Sequence, residues 1–198
     1  MTRPFLAAAG LALALLTACA APSTAVPTPT PTPTPTSTAP ATSAPAVTGT
    51  AVADAPVLVT EATGPGDGFG LLTAARTGAQ PGADRIVFEF EAAVPEYRIA
   101  YQDLPVYSDP VGEVVPLDGT AALAISLIGS SRYRSIEDQQ PVTDVPQRIT
   151  AGLEQVTELV NLGDFEGVLV WAAGVRTRTG FTVSVLDGPP RLVIDVAR

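Results

Sequence analysis

The chain has 198 residues, 46% of them hydrophobic, and a formal net charge of -9. Because phosphate contacts need a basic protein face, this acidity argues against nucleic acid as a partner. The single cysteine excludes an internal disulfide framework, and the absence of histidine removes the commonest metal ligand and general base. These two absences shorten the list of possible enzymes, and we predict no cofactor and no metal site.

The N-terminus is typical of an export signal. Arg3 precedes an apolar run over residues 5–16. A bilayer needs about 20 apolar residues, so the run is too short to span it but suits a signal peptide. Leu16-Thr17-Ala18-Cys19 follows and resembles the bacterial lipobox, in which the cysteine thiol receives a diacylglycerol and becomes the new N-terminus.

The lipobox resemblance gives three expectations. Residues 1–18 are predicted to be a lipoprotein signal peptide, Cys19 the lipidated residue, and the membrane a partner through this lipid. The protein would lie on the outer face of the cytoplasmic membrane. The alternative is ordinary cleavage near Ala18 or Ala21, with Cys19 incidental.

Residues 19–56 are predicted to be the lipidated N-terminus followed by a disordered linker. Proline and threonine alternate strictly from Pro27 to Thr36. Such a segment buries too little apolar surface to offset its conformational entropy, and its prolines favour extended polyproline II. A linker of this kind would carry the following domain into the cell wall.

Residues 57–198 are predicted to form one all-β domain. Short apolar or alternating runs are separated by turn residues, and the clearest run places Ile86, Phe88 and Phe90 on one face. The run 167–175, which contains Trp171, is apolar on both faces and predicts a central strand with the tryptophan in the core. The predicted strands are 57–60, 69–76, 84–91, 96–103, 121–128, 156–162, 167–175, 181–186 and 191–196.

Residues 153–162 are ambiguous, because their apolar residues also fit a helical stripe. We favour a strand, since β-branched residues are frequent and Gly163-Asp164 would then form a tight turn. Strands at this spacing, with antiparallel connections, indicate an antiparallel β-sandwich.

Three segments resemble the AMIN-like domain of actinobacterial lipoproteins. They are Asp-Arg-Ile-Val-Phe-Glu-Phe at 84–90, Gly-Asp-Phe-Glu-Gly-Val-Leu-Val-Trp at 163–171, and Pro-Pro-Arg-Leu-Val-Ile-Asp-Val at 189–196. The last is also similar to the end of the AMIN domain proper, a β-sandwich of cell-wall amidases and secretins thought to bind envelope polysaccharide. The resemblance implies a non-catalytic envelope module and brings no catalytic residues. The stretches 67–70 and 107–119 resemble nothing specific and could be where ligand choice varies.

Aromatic and basic residues are the candidate ligand-binding groups. Solvent-facing rings stack on sugars, and Tyr107 and Tyr133 lie in polar, turn-rich stretches. Arg132 and Arg134 flank Tyr133 and could hold a carboxylate or phosphate of a wall polymer. The alternative for this cluster is a solvated loop paired with Glu137 and Asp138.

Carboxylates offer weaker candidates. The pair Glu89/Glu91 has a spacing that could suit glycoside hydrolysis, and Asp164 and Glu166 form a second carboxylate pair at a turn. Glu137, Asp138 and Asp144 could hold calcium. Asp195, between apolar neighbours, is predicted to pair with Arg85 or Arg191. We favour a non-enzymatic module that binds a cell-wall polysaccharide; the alternatives are a domain that binds an envelope protein and a wall-acting hydrolase.

Overall fold

A computed structural model describes residues 57–135, 137, 141 and 145–198. The predictions for the signal peptide, Cys19 and the linker lie outside these residues. The described residues form strands and no helix, as predicted. The strands are β1 (Glu61–Gly64), β2 (Gly70–Gln80), β3 (Ala83–Ala92), β4 (Glu96–Gln102), β5 (Val106–Tyr107), β6 (Val114–Val115), β7 (Ala121–Ile128), β8 (Ser130–Ser131), β9 (Arg148–Thr150), β10 (Val156–Phe165), β11 (Val168–Val175), β12 (Phe181–Leu186) and β13 (Arg191–Ala197).

Two sheets form the predicted sandwich. One has the strand order β1-β4-β7-β11-β10-β9, and the other has the order β12-β13-β3-β2-β8. Neighbouring strands are antiparallel, apart from a two-residue parallel pairing of β2 with β8. Strands β5 and β6 form a separate hairpin.

The core follows from the alternation along the strands. Ile86, Phe88 and Phe90 of β3 are buried in one cluster with Ile125 of β7 and Trp171 of β11. The rings of Phe88 and Trp171 lie 5.7 Å apart between centroids, which joins the two sheets.

Strand β11 is covered on both faces, as its unbroken apolar sequence predicted. Ala172 lies on the face opposite Trp171, in a second cluster with Val160 and Leu162 of β10. Val106 of the β5–β6 hairpin is buried in this cluster. The hairpin therefore covers the outer face of the six-stranded sheet.

A buried carboxylate also connects the sheets. Asp84 of β3 is fully buried. Its Oδ2 accepts hydrogen bonds from the backbone N–H of Gln155 (2.6 Å) and of Val156 (2.9 Å), where β10 begins. Its Oδ1 accepts from Nε of Arg198 at 2.8 Å. Burial raises the pKa of Asp84, but the hydrogen bonds from Val156, Gln155 and Arg198 outweigh this effect and leave the pKa below its ordinary value.

The predicted strand boundaries fail at the start of the domain. The prediction of a strand at 57–60 is wrong, because only Val59 pairs there, with Phe181, and the strand begins at Glu61. Val57 and Leu58 are exposed. The two-residue and three-residue strands β5, β6, β8 and β9 are too short for an alternating pattern to reveal.

The turn after β10 was also placed wrongly. The strand predicted over the ambiguous segment is confirmed from Val156, but it continues through a bulge between Asn161 and Gly163 to Phe165. The turn consists of Glu166 and Gly167, with φ of 49° and 75°. Two positive φ values are typical of the type I′ turn of a two-residue hairpin.

The part of the chain that the structure describes contains no helical segment with the length and apolarity needed to traverse a bilayer.

Candidate functional site

An open cleft of about 800 Å³ is the candidate site. It lies between the residue that precedes β2, the β8 strand with the loop after it, and the β10–β11 turn. Its lining consists of Phe69, Ser131, Tyr133, Arg134, Ser135, Asp164, Phe165, Glu166 and Gly167.

Two phenylalanine rings are exposed in this cleft. Phe88, Phe90 and Phe181 are buried in the core. Phe69 and Phe165 are instead 53% and 46% exposed. Burying a phenylalanine side chain contributes about 1.5–3 kcal/mol, so leaving two of them at the same surface forgoes stability. Exposed apolar side chains that share a concave surface mark a binding site.

Hydrogen bonds hold the loop that carries Tyr133. Oδ2 of Asp164 accepts from the backbone N–H of Arg132 at 2.7 Å and from the hydroxyl of Ser131 at 3.1 Å. The Ser131 hydroxyl oxygen in turn accepts from the backbone N–H of Tyr133 at 2.9 Å. This network fixes the backbone of the loop against β10.

Hydrogen bonds connect the chain segments that carry the two phenylalanines. The carbonyl of Gly167 accepts hydrogen bonds from the N–H groups of Gly129 and Ser130, at 2.8 and 2.9 Å. The Ser130 hydroxyl donates to the carbonyl of Gly70 at 2.7 Å, and the Gly70 N–H donates to the carbonyl of Gly129 at 2.9 Å. The residue after Phe69 is thus tied to the turn that follows Phe165.

The charges around the cleft are dominated by carboxylates. Asp164 and Glu166 line it, and Arg134 is the cation among the lining residues. Arg134 donates to both carboxylate oxygens of Glu91, at 2.9 and 3.2 Å. The hydrogen bond from Arg134, together with its charge, lowers the pKa of Glu91. The guanidinium is therefore already partly neutralised within the protein.

The four residues predicted to bind a ligand lie in three different places in the structure. Tyr133 and Arg134 line the cleft. Arg132 is only 4% exposed and is not part of the lining, and its Nε and Nη1 have no hydrogen-bond partner within the described residues. The alternative of a solvated loop is therefore wrong for Arg132. Tyr107 is 53% exposed but lies on the β5–β6 hairpin, opposite Val114.

The sequence prediction missed both phenylalanines of the cleft. For the stretch 67–70, which contains Phe69, the sequence predicts only that ligand choice could vary there; it does not identify Phe69 as a binding residue. Phe165 lies between the tight turn predicted at Gly163-Asp164 and the strand predicted from residue 167, and no role is predicted for it. The available signal was an aromatic residue among polar turn residues, Asp164-Phe165-Glu166-Gly167, where no core position is expected.

No group of three or more acidic or cysteine residues that could hold a metal ion is found within the described residues. Asp138 and Asp144 of the calcium alternative lie outside them.

Fold and cleft together define a two-sheet β-sandwich with an open surface site on its loops. The AMIN-like domain is the family whose model matches this chain, over residues 70–198. The chain therefore belongs to the AMIN-like domain family, and this membership indicates a place in the cell envelope. The comparisons with curated proteins and with solved structures gave no match.

Proposed function

We propose that the protein is a lipoprotein of the actinobacterial type whose AMIN-like domain binds a cell-wall glycan without catalysing a reaction. The observation that carries this proposal is the exposure of Phe69 and Phe165 in one cleft. A flat apolar ring stacks on the C–H face of a pyranose. The Tyr133 hydroxyl and the carboxylates of Asp164 and Glu166 supply polar partners for the hydroxyl groups of the sugar.

Binding without catalysis is favoured by what the cleft side chains already do. Asp164 holds the backbone of Arg132 and the hydroxyl of Ser131 through Oδ2. The chain has no histidine to act as a general base. Asp164 thus also builds the binding loop, and we assign no reaction to the Asp164/Glu166 pair.

The cleft is open, so a glycan chain can lie across it. A long polysaccharide must pass across a surface without threading an end into it, so an open cleft serves better than a closed cavity. The lining residues come from three separate parts of the chain that are hydrogen-bonded to one another. A framework of this kind lowers the ordering cost of binding.

Isolated cell walls should co-sediment the purified protein above the background of an unrelated acidic protein of similar size. The physical reason is stacking of wall sugars on the two exposed rings. The measurement is the bound fraction as a function of wall concentration. Sedimentation no greater than that of the control protein would exclude wall binding.

A protein partner is the second candidate. The β5–β6 hairpin has three exposed apolar residues, Tyr107, Val111 and Val114. Such a patch is typical of a protein-binding surface. Walls treated with protease and detergent separate the two candidates: binding that survives the treatment supports the glycan, and binding that disappears supports an envelope protein.

Lipidation of Cys19 completes the proposed arrangement. Each buried methylene contributes about 0.8 kcal/mol, so the two chains of a diacylglycerol give stable anchoring where one chain gives reversible binding. In cells fed a labelled fatty acid, the label should enter the wild-type protein and be absent from Cys19→Ala. A labelled Cys19→Ala protein would refute the assignment.

A further inference from the structure

We infer that the cleft selects uncharged sugar units and rejects anionic wall polymers; this inference rests on the proposed glycan binding and names the ligand class of the same site. The sequence left open the opposite role, in which Arg132 and Arg134 would hold a carboxylate or phosphate. The positions of the charged groups in the structure favour an uncharged ligand.

The two arginines are not placed to receive an anion. Arg132 is buried and does not line the cleft. Arg134 does line it, but both oxygens of Glu91 accept hydrogen bonds from its guanidinium. This pair already uses two of the N–H donors of the guanidinium and offsets its charge, which weakens the attraction of Arg134 for a ligand phosphate.

Two carboxylates line the cleft that an anionic ligand would have to enter. Among the described residues, Asp164 and Glu166 both line the cleft, and Arg134 is the one cation that does. Glu166 is exposed in the β10–β11 turn, next to the exposed ring of Phe165. A ligand stacked on that ring would share the cleft with Glu166. Like charges placed together at a binding surface suppress the wrong partner.

The protein as a whole adds to this selection. Its formal net charge is -9, which repels a polyanion at long range in low salt. An uncharged sugar does not experience this repulsion. Its hydroxyl groups can donate hydrogen bonds to the carboxylate oxygens, while its C–H face stacks on Phe69 or Phe165.

Calorimetric titration of the purified full chain with two probes tests the inference. One probe is an oligosaccharide of six N-acetylglucosamine units, which is uncharged, and the other is poly(glycerol phosphate), which is anionic. At 50 mM NaCl the oligosaccharide should bind at least about tenfold more tightly per site than the anionic polymer. Its Kd should change less than about twofold between 50 and 300 mM NaCl, because no ion pair is formed.

Two matched variants assign the selection to the cleft. Glu166→Gln should raise the affinity for poly(glycerol phosphate) by at least about threefold at 50 mM NaCl, because one repelling charge is removed. Glu113→Gln removes an exposed carboxylate from the β5–β6 hairpin and should leave that affinity unchanged within error. An equal effect of the two variants would show that net charge alone acts, and would overturn the role of the cleft.

The remaining outcomes separate the failure of this inference from that of the proposed function. Binding of poly(glycerol phosphate) as tight as that of the oligosaccharide, or tighter, would overturn the selectivity while leaving polymer binding by the cleft in place. If neither probe binds, the inference is wrong, and wall sedimentation decides independently whether the proposed function stands.

Discussion

Asp84→Ala is expected to lower the free energy of unfolding by about 3–5 kcal/mol, because it removes a fully buried carboxylate that accepts three hydrogen bonds. Three groups lose their acceptor: the N–H of Gln155, the N–H of Val156 and the guanidinium of Arg198. Each buried donor left unsatisfied costs about 1–3 kcal/mol. Urea denaturation of the variant and the wild type measures the difference.

Asp84→Asn is the matched control for shape. It keeps the size of the side chain and one carbonyl oxygen but removes the charge that faces Arg198. We expect a smaller loss of stability than for Asp84→Ala. An Asp84→Ala protein within about 1 kcal/mol of the wild type would contradict the assigned role, because a loss that small is typical of an exposed position.

The Asp84 carboxylate should also make stability depend on pH. Its pKa in the folded protein lies below the ordinary value of 3.8, so its contribution is fully present above that value. The contribution is lost as the pH falls through the lower, folded-state pKa. The difference in unfolding free energy between the wild type and Asp84→Asn should therefore shrink between about pH 5 and pH 2.

Trp171→Ala is expected to destabilise the domain by about 3–5 kcal/mol, the usual cost of removing a large aromatic side chain from a core. Trp171 is fully buried on β11 and contacts the ring of Phe88 across the two sheets. Its truncation would leave a cavity at the centre of the sandwich. Thermal and urea denaturation, followed by circular dichroism because this is the sole tryptophan, measure the change.

Trp171→Phe keeps an aromatic ring at this position and tests how much of the stability comes from packing. The indole Nε1 has no hydrogen-bond partner among the described residues. The phenylalanine variant therefore loses volume but no hydrogen bond, and we expect it to cost less than half as much as Trp171→Ala. Similar losses for the two variants would show that packing against Phe88 is not the main contribution of Trp171.

The strands were predictable where one or both faces are buried over several residues. In β3, the alternation of Ile86, Phe88 and Phe90 placed the core face correctly. The pairing of Arg85 with Asp195 is confirmed, with bonds of 2.7 and 2.8 Å, because these residues lie opposite each other on neighbouring strands. Local alternation therefore carries enough information for a long strand.

The alternation of core-facing residues along β3 also includes Asp84. It has the same parity along β3 as Ile86, so the alternation places its carboxylate on the core face. Only its tertiary partners explain why a charge is stable there: the start of β10 and the C-terminal Arg198. These partners are 71 and 114 residues away in the sequence, beyond the reach of a local pattern.

The cleft could be predicted only in part for a related reason. The polar, turn-rich stretch predicts an accessible Tyr133 with Arg132 and Arg134 beside it, and the structure places Tyr133 and Arg134 in the cleft but buries Arg132. Phe69 and Phe165 are 96 positions apart, and they share a cleft only because Gly70, Gly129, Ser130 and Gly167 are hydrogen-bonded together. The polar residues around Phe165 indicate that its ring is exposed, but a local pattern cannot show which distant residue shares its cleft.

The most direct test of the account compares wall binding by Phe69→Ala/Phe165→Ala with that by Tyr107→Ala. Tyr107 is a matched control because it is as exposed as Phe69, at 53%, but lies outside the cleft. We predict that the double variant binds isolated walls about tenfold more weakly than the wild type, from two stacking contacts of about 0.5–1.5 kcal/mol each, while Tyr107→Ala binds normally. Wall binding unchanged in a folded double variant, or lost equally in Tyr107→Ala, would contradict the account.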